Sequence, residues 1–156
     1  MNSEICREAS VADVERLMPL LGAFCEHFKY RFSAPQKRAD VLGLLAQPQL
    51  GRIFLVLDSS EVVGYVLLAF SFSLEFGGRT AFIDEFFIGV TGRGRGLGNK
   101  VLAFIERFCR DGGVNAVLLE AEETNPRAVA LYERAGYAFL GRRLMTCVLD
   151  SERGYK

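Results

Sequence analysis

The stretch Phe82-Ile83-Asp84-Glu85-Phe86-Phe87-Ile88-Gly89-Val90-Thr91-Gly92-Arg93-Gly94-Arg95-Gly96-Leu97-Gly98 decides the fold. Its first half is apolar apart from two adjacent carboxylates and reads as part of a strand over Thr80 to Val90. Its second half is rich in glycine and opens a helix to about Asp111. Leu97, Val101, Phe104, Ile105 and Phe108 form that helix's apolar stripe. Backbone N–H groups in the first turn of a helix lack partners, and the helix dipole makes that end partly positive. Glycines let a phosphate approach those groups closely, and Arg93 and Arg95 add cationic donors. A strand, a glycine turn and a helix in this order predict an α/β unit with a pyrophosphate site.

Working outward, Glu4 to Glu8 reads as a short first strand. Ser10 caps a helix to about His27, with Val14, Leu17, Met18, Leu21 and Phe24 on one face. Pro35 suits the first turn of a second helix, which ends before Pro48. Ile53 to Asp58, Val62 to Phe72 and Thr80 to Val90 make an antiparallel meander. Its turns lie at Asp58-Ser59-Ser60-Glu61 and Gly77-Gly78. After the glycine stretch, Asn115 to Glu122 is a strand, Pro126 to Ala135 a helix, and Tyr137 to Leu149 a final strand. The expected order is β-α-α-β-β-β-α-β-α-β, a mixed α/β sheet with helices packed against it. No repeat or linker divides the 156 residues, so one domain spans 1–156.

The dinucleotide pattern G-x-G-x-x-G fails on the glycine stretch, because it requires glycine at Leu97, Asn99 or Val101. The P-loop fails for want of a Gly-Lys pair. The pattern Q/R-x-x-G-x-G/A does fit, at Arg93, Gly96 and Gly98. It resembles the acetyl-CoA loop of the GNAT superfamily of N-acetyltransferases. Asn125-Pro126-Arg127-Ala128-Val129-Ala130-Leu131-Tyr132-Glu133-Arg134-Ala135-Gly136-Tyr137 is similar to the family's N-x-x-A-x-x-x-Y-x-x-x-G-F/Y segment. Ile5-Cys6-Arg7-Glu8-Ala9 with Asp13 resembles its opening, offset by one residue at the arginine.

The resemblance implies a GNAT-like fold whose central sheet splays open, with acetyl-CoA as cosubstrate and no metal. It implies that Phe86, Ile88, Arg93, Gly94, Arg95, Gly96, Gly98, Asn99 and Asn125 bind the cofactor. The Ile88 N–H would face the acetyl oxygen, where a donor stabilises the developing oxyanion. Tyr132 would protonate the departing thiolate. The acceptor amine needs a base, because freeing a lysine-like ammonium of its proton costs about 4–5 kcal/mol at pH 7. Asp84 and Glu85 are the candidates. As neighbours on a strand they should point to opposite faces, leaving one toward the acceptor. Glu120 and Glu122 on the next strand are alternatives.

The aromatic residues between Phe70 and Phe87 look most like the diamine and thialysine branch of the family. They suggest a slot for a small cationic amine, such as a diamine, polyamine or amino-acid-like compound. Glu26, Tyr30 and Glu75 would read a second positive charge. Acetylation of a protein N-terminus or lysine is the other enzymatic expectation, and a CoA-binding regulator without turnover is the non-enzymatic one.

Nineteen basic residues balance nineteen acidic ones, which argues against nucleic acid or membrane partners, even with Arg93, Arg95, Arg142 and Arg143 present. There is no secretory signal and no apolar run of membrane-spanning length. Four scattered cysteines and one histidine form no metal or disulfide pattern. A cytoplasmic protein with a small-molecule amine substrate is expected, and a homodimer is compatible with the family.

Overall fold

A computed structural model describes residues 4–150 and 152. Five strands form one sheet in the order β1-β2-β3-β4-β5. They are β1 (Cys6–Glu8), β2 (Gly51–Asp58), β3 (Glu61–Ser73), β4 (Gly78–Ile88) and β5 (Ala116–Leu119). The helices are α1 (Val14–Phe28), α2 (Ala34–Leu45), α3 (Leu97–Asp111) and α4 (Pro126–Arg134). The first three pairings are antiparallel, and β4 pairs with β5 in parallel through the α3 crossover.

The sheet is covered on both faces, which is why its strands read as nearly continuous apolar runs. On one face Leu17, Leu21, Phe24 and Cys25 of α1 and Val41 of α2 meet Ile53, Leu55, Tyr65 and Phe87. On the other, Leu97, Val101, Leu102 and Ile105 of α3 meet Phe54, Val56, Val66, Leu68 and Ile83. Each fully buried aliphatic side chain contributes about 1.5–3 kcal/mol, so α3 is held firmly and fixes the loop before it. Burial pushes the Cys6 thiol up to about 12 and the Cys109 thiol up to about 11. Thiols held protonated at neutral pH are core residues, not nucleophiles.

The entry to α1 is locked by one carboxylate. Asp13 is buried and accepts both guanidinium nitrogens of Arg7, at 2.9 and 2.6 Å. It also accepts the Ser10 backbone N–H and hydroxyl, each at 2.9 Å. This ties β1 to the first turn of the helix in a capping-box arrangement.

The expected final strand, Tyr137 to Leu149, is not formed: residues 138–150 are exposed and pair with no strand. The apolar residues there come as doublets, Leu144-Met145 and Val148-Leu149. A doublet puts one side chain on each side of an extended chain, so no single apolar face exists to dock on β5. Gly141, with φ of 70°, also turns the chain out of the extended conformation. Among the described residues, no helix is long and apolar enough to cross a membrane.

The Arg7 pair, the strongest influence on Asp13, holds its carboxyl well below the usual range. Its stabilisation is fully present above the unfolded pKa of about 3.9 and is lost as pH falls toward the lowered folded value. Asp13→Asn should cost about 1.5–3 kcal/mol at neutral pH and flatten the acid limb of stability. Urea unfolding across a pH series measures both.

Candidate active site

β4 and β5 stay paired only from Thr80–Ala116 to Ile83–Leu119. β5 ends at Leu119, whereas β4 continues to Ile88. Beyond Ile83, β4 therefore has β3 on one side and no strand on the other. This open stretch leads directly into the glycine loop.

The loop is built to present backbone. Gly94 and Gly96 have φ of 76° and 70°, values that favour glycine, and Gly96 is the N-cap of α3. Gly98 serves packing, since a Cβ there would lie 2.9 Å from Leu131 Cδ2 of α4. The two arginines already have protein partners. Arg93 Nε donates to the Ile88 carbonyl at 3.0 Å, and Arg95 is paired with Asp58. Asn99 is exposed on the first turn of α3. The left-handed glycines, the free first turn of α3 and the open edge of β4 suit a pyrophosphate followed by an extended thiol arm.

The carboxylates sit at an irregularity in β4. Leu67 pairs with Glu85 and Leu68 with Ile83, so Asp84 is an extra residue bulging from the ladder. A bulge reverses the alternation of faces. Ile83 accordingly packs on the α3 face and Phe87 on the α1 face, although the two lie four residues apart. Asp84, the bulged residue, is exposed, Glu85 is half-buried, and the Lys37 charge of α2 acts on both carboxyls.

Glu85 is delivered into the α1 face. Its Oε2 accepts the Tyr65 hydroxyl at 2.6 Å, and its Oε1 lies 3.9 Å from Lys37 Nζ. Tyr65 is fully buried against Phe24 and Phe87. Burial raises the Glu85 carboxyl above its ordinary value, while Tyr65 and Lys37 pull it down. Burial also raises Asp84, against Lys37. A carboxylate raised toward neutrality and still hydrogen-bonded can take up a proton and release it again. Neither Tyr65 nor Lys37 was singled out from the sequence. The one available signal was Tyr65 itself, a hydroxyl in the run Val62-Val63-Gly64-Tyr65-Val66-Leu67-Leu68 that must find a partner once buried.

Tyr132 is half-buried on α4 against the α3-face core, in edge contact with Tyr137 at 6.1 Å. Burial raises its hydroxyl pKa and keeps it protonated, as a proton donor requires. Asn125 caps α4, its Oδ1 accepting the Ala128 N–H at 3.2 Å. Phe86 and Ile88 pack toward α3. Glu120 and Glu122 are exposed beyond the end of β5.

Of the charge-reading residues expected, Tyr30 packs edge-on against Phe24, whereas Glu75 stands apart. Glu75 lies in the β3–β4 turn, at the other end of β4, and accepts both guanidinium nitrogens of Arg142 at 2.9 and 2.7 Å. Its β-hairpin position, ten residues before Glu85, keeps it from the open edge. Glu26 is exposed on α1, and Tyr30 stacks on Phe28 with ring centroids 5.7 Å apart.

Comparison with known proteins agrees with this architecture. The model of the acetyltransferase (GNAT) family matches residues 17–137. A thialysine N-epsilon-acetyltransferase of Sus scrofa is 27% identical over 149 residues, covering 87% of this chain and 85% of the relative. An uncharacterized N-acetyltransferase of Bacillus subtilis is 23% identical over 131 residues, 84% of this chain and 87% of the relative. An integron cassette protein from a salt-marsh metagenome superposes with a TM-score of 0.84 at 34% identity, covering 95% of this chain and 92% of that one.

Tyr65→Phe removes a donor that favours the ionised form of Glu85, so the carboxyl pKa should rise further. A carboxyl-carbon NMR titration reads this directly. An unmoved Glu85 titration would mean that the hydroxyl does not act on the carboxylate.

Proposed function

The chain belongs to the GNAT acetyltransferase family and is an acetyl-transferring enzyme, and on that premise we propose that it acetylates the primary amine of a small cationic molecule. The family uses acetyl-CoA as cosubstrate. The observation that carries the acceptor class is the setting of Glu85: a half-buried, hydrogen-bonded carboxylate on a strand with an open edge, with an ammonium already against it.

In this scheme Gly94, Gly96 and the first turn of α3, with Asn99, hold the pyrophosphate through backbone N–H groups. Arg93 and Arg95 would join them by leaving the Ile88 carbonyl and Asp58. Phe86 and Ile88 line the open edge of β4, where the Ile88 N–H meets the acetyl oxygen. Asn125 fixes the start of α4 and so the position of Tyr132. Acetyl-CoA supplies the activated acetyl group.

Glu85 is the base. It is the carboxylate that the bulge turns toward the Tyr65 hydroxyl, and its raised pKa lets it accept a proton from an arriving ammonium. Asp84 stands beside it and adds negative potential that attracts a cation. Tyr132, kept neutral by burial, donates to the departing sulfur. With Glu75 occupied by Arg142, the pocket supports recognition of one amine rather than of a long polyamine spanning to the β3–β4 turn.

A panel of diamines, polyamines, lysine analogues, an aminoglycoside and short peptides, assayed by CoA release, tests this. Small cationic amines should lead the ranking. Glu85→Gln should lower kcat/KM by about 10²–10⁴-fold, as for loss of a general base, and Tyr132→Phe should lower kcat while acetyl-CoA still binds. Preference for peptides, or full activity of Glu85→Gln, would overturn the assignment.

A further inference from the structure

Lys37 stands against the carboxylate assigned as base. Its backbone is fixed in the first turn of α2, where its N–H donates to the Ser33 carbonyl at 2.9 Å. From there the four-carbon stem runs inward, leaving the side chain 29% exposed, and sets the ammonium 3.9 Å from Glu85 Oε1. Asp84 feels the same charge.

The contact is looser than the other ion pairs among the described residues. Arg7–Asp13 and Arg38–Glu15 close at 2.6 and 2.9 Å with paired hydrogen bonds, as structural bridges do. Lys37 stands at the outer limit of an ion pair, on a flexible stem, facing a carboxylate whose second oxygen is already held by Tyr65. A structural bridge at this position would be served better by arginine, which forks onto both oxygens. A lysine brings something arginine cannot, a primary amine that becomes nucleophilic once deprotonated. A general base must lie within reach of the proton it removes, and Lys37 holds the one described amine that meets Glu85. Of the other lysines, Lys29 and Lys100 are exposed and make no ion pair among the described residues.

We propose that Lys37 is itself an acetyl acceptor, modified in cis by the enzyme's own site when no amine substrate is bound. This rests on the assignment of Glu85 as base. The Lys37 nitrogen forms a bond to the acetyl carbon as the carbon–sulfur bond of the thioester breaks, the electron pair leaving on sulfur. Of the two protons the nitrogen gives up, one passes through Glu85 to solvent. The other, relayed by solvent, restores to Tyr132 the proton it delivers to the sulfur. The products are Nε-acetyl-Lys37 and free CoA, with no change of oxidation state. Acetylation removes the cation facing Asp84 and Glu85, so the modified enzyme carries a more negative pocket.

The test uses the full chain, treated with a lysine deacetylase and repurified. It is incubated with acetyl-CoA alone and, in a parallel arm, with acetyl-CoA and an excess of an accepted amine. Intact mass should rise by one acetyl group, mapped by peptide sequencing to Lys37. The rate should not depend on protein concentration, and excess amine should suppress it. Glu85→Gln should slow it by about 10²–10⁴-fold, and Lys37→Arg should abolish it. An unmodified Lys37 in an enzyme that acetylates the added amine would overturn this inference alone and leave Lys37 a counter-ion. Acetyl groups spread over Lys29 and Lys100 as fast as Lys37, and indifferent to Glu85→Gln, would also overturn it, since that is solution chemistry. Transfer to neither Lys37 nor any amine would overturn the base assignment together with it.

Discussion

One extra residue in β4 governs the site. Without the bulge at Asp84, strict alternation would carry the parity of Ala81 and Ile83 onward, and Glu85 would point into the apolar core beneath α3. A carboxylate there would face Val101 and Ile105 with no donor to satisfy it, at a cost of several kcal/mol. The slip moves Glu85 to the other face, where Tyr65 donates to it and Lys37 balances it. The same slip swings Phe86 and Ile88 toward α3 and leaves their backbone at the open edge beside the glycine loop. The proposed base and the proposed cofactor cradle are thus set on the two faces of one short segment.

The rest of the molecule supports that segment. β3 carries Tyr65 and holds β4 in register, while Phe24 of α1 and Val41 of α2 pack in the same core as Tyr65 and Lys37 of α2 meets the carboxylate. On the far face α3 is anchored by side chains with almost no exposure, which fixes the first turn that an anion would meet. α4 leans on α3 through Leu131 over Gly98, and Tyr132, the next residue, packs against the α3-face core. The proposed proton acceptor, Glu85, and the proposed donor, Tyr132, therefore lie on different elements, β4 and α4.

Much of this was legible in the sequence because it follows from local rules. The glycine stretch, the helical stripe of Leu97 to Phe108 and the Asn125-Pro126 start of α4 each announce themselves through backbone chemistry. The bulge does not. Phe82, Ile83, Phe86, Phe87 and Ile88 are all apolar because β4 is covered on both faces, so no period-two pattern exists in which a slip could appear. Lys37 was invisible for another reason: its role depends on how α2 packs across the sheet, a contact between distant parts of the chain. Glu75 was misjudged because its distance from the open edge depends on hairpin length, and its charge is spent on Arg142. The segment after Tyr137 has strand-like composition, but its doublets offer no face for the short edge of β5.

A crystal structure of the enzyme with bound CoA and an amine ligand tests the central claim most directly. The account predicts the pyrophosphate on the backbone of Gly94 to Gly98 and the sulfur between β4 and β5 beside Tyr132. It also predicts the amine of the ligand against Glu85, with Lys37 displaced. An amine held by Asp84, Glu120 or Glu122 instead, with Glu85 still closed onto Tyr65 and Lys37, would contradict it.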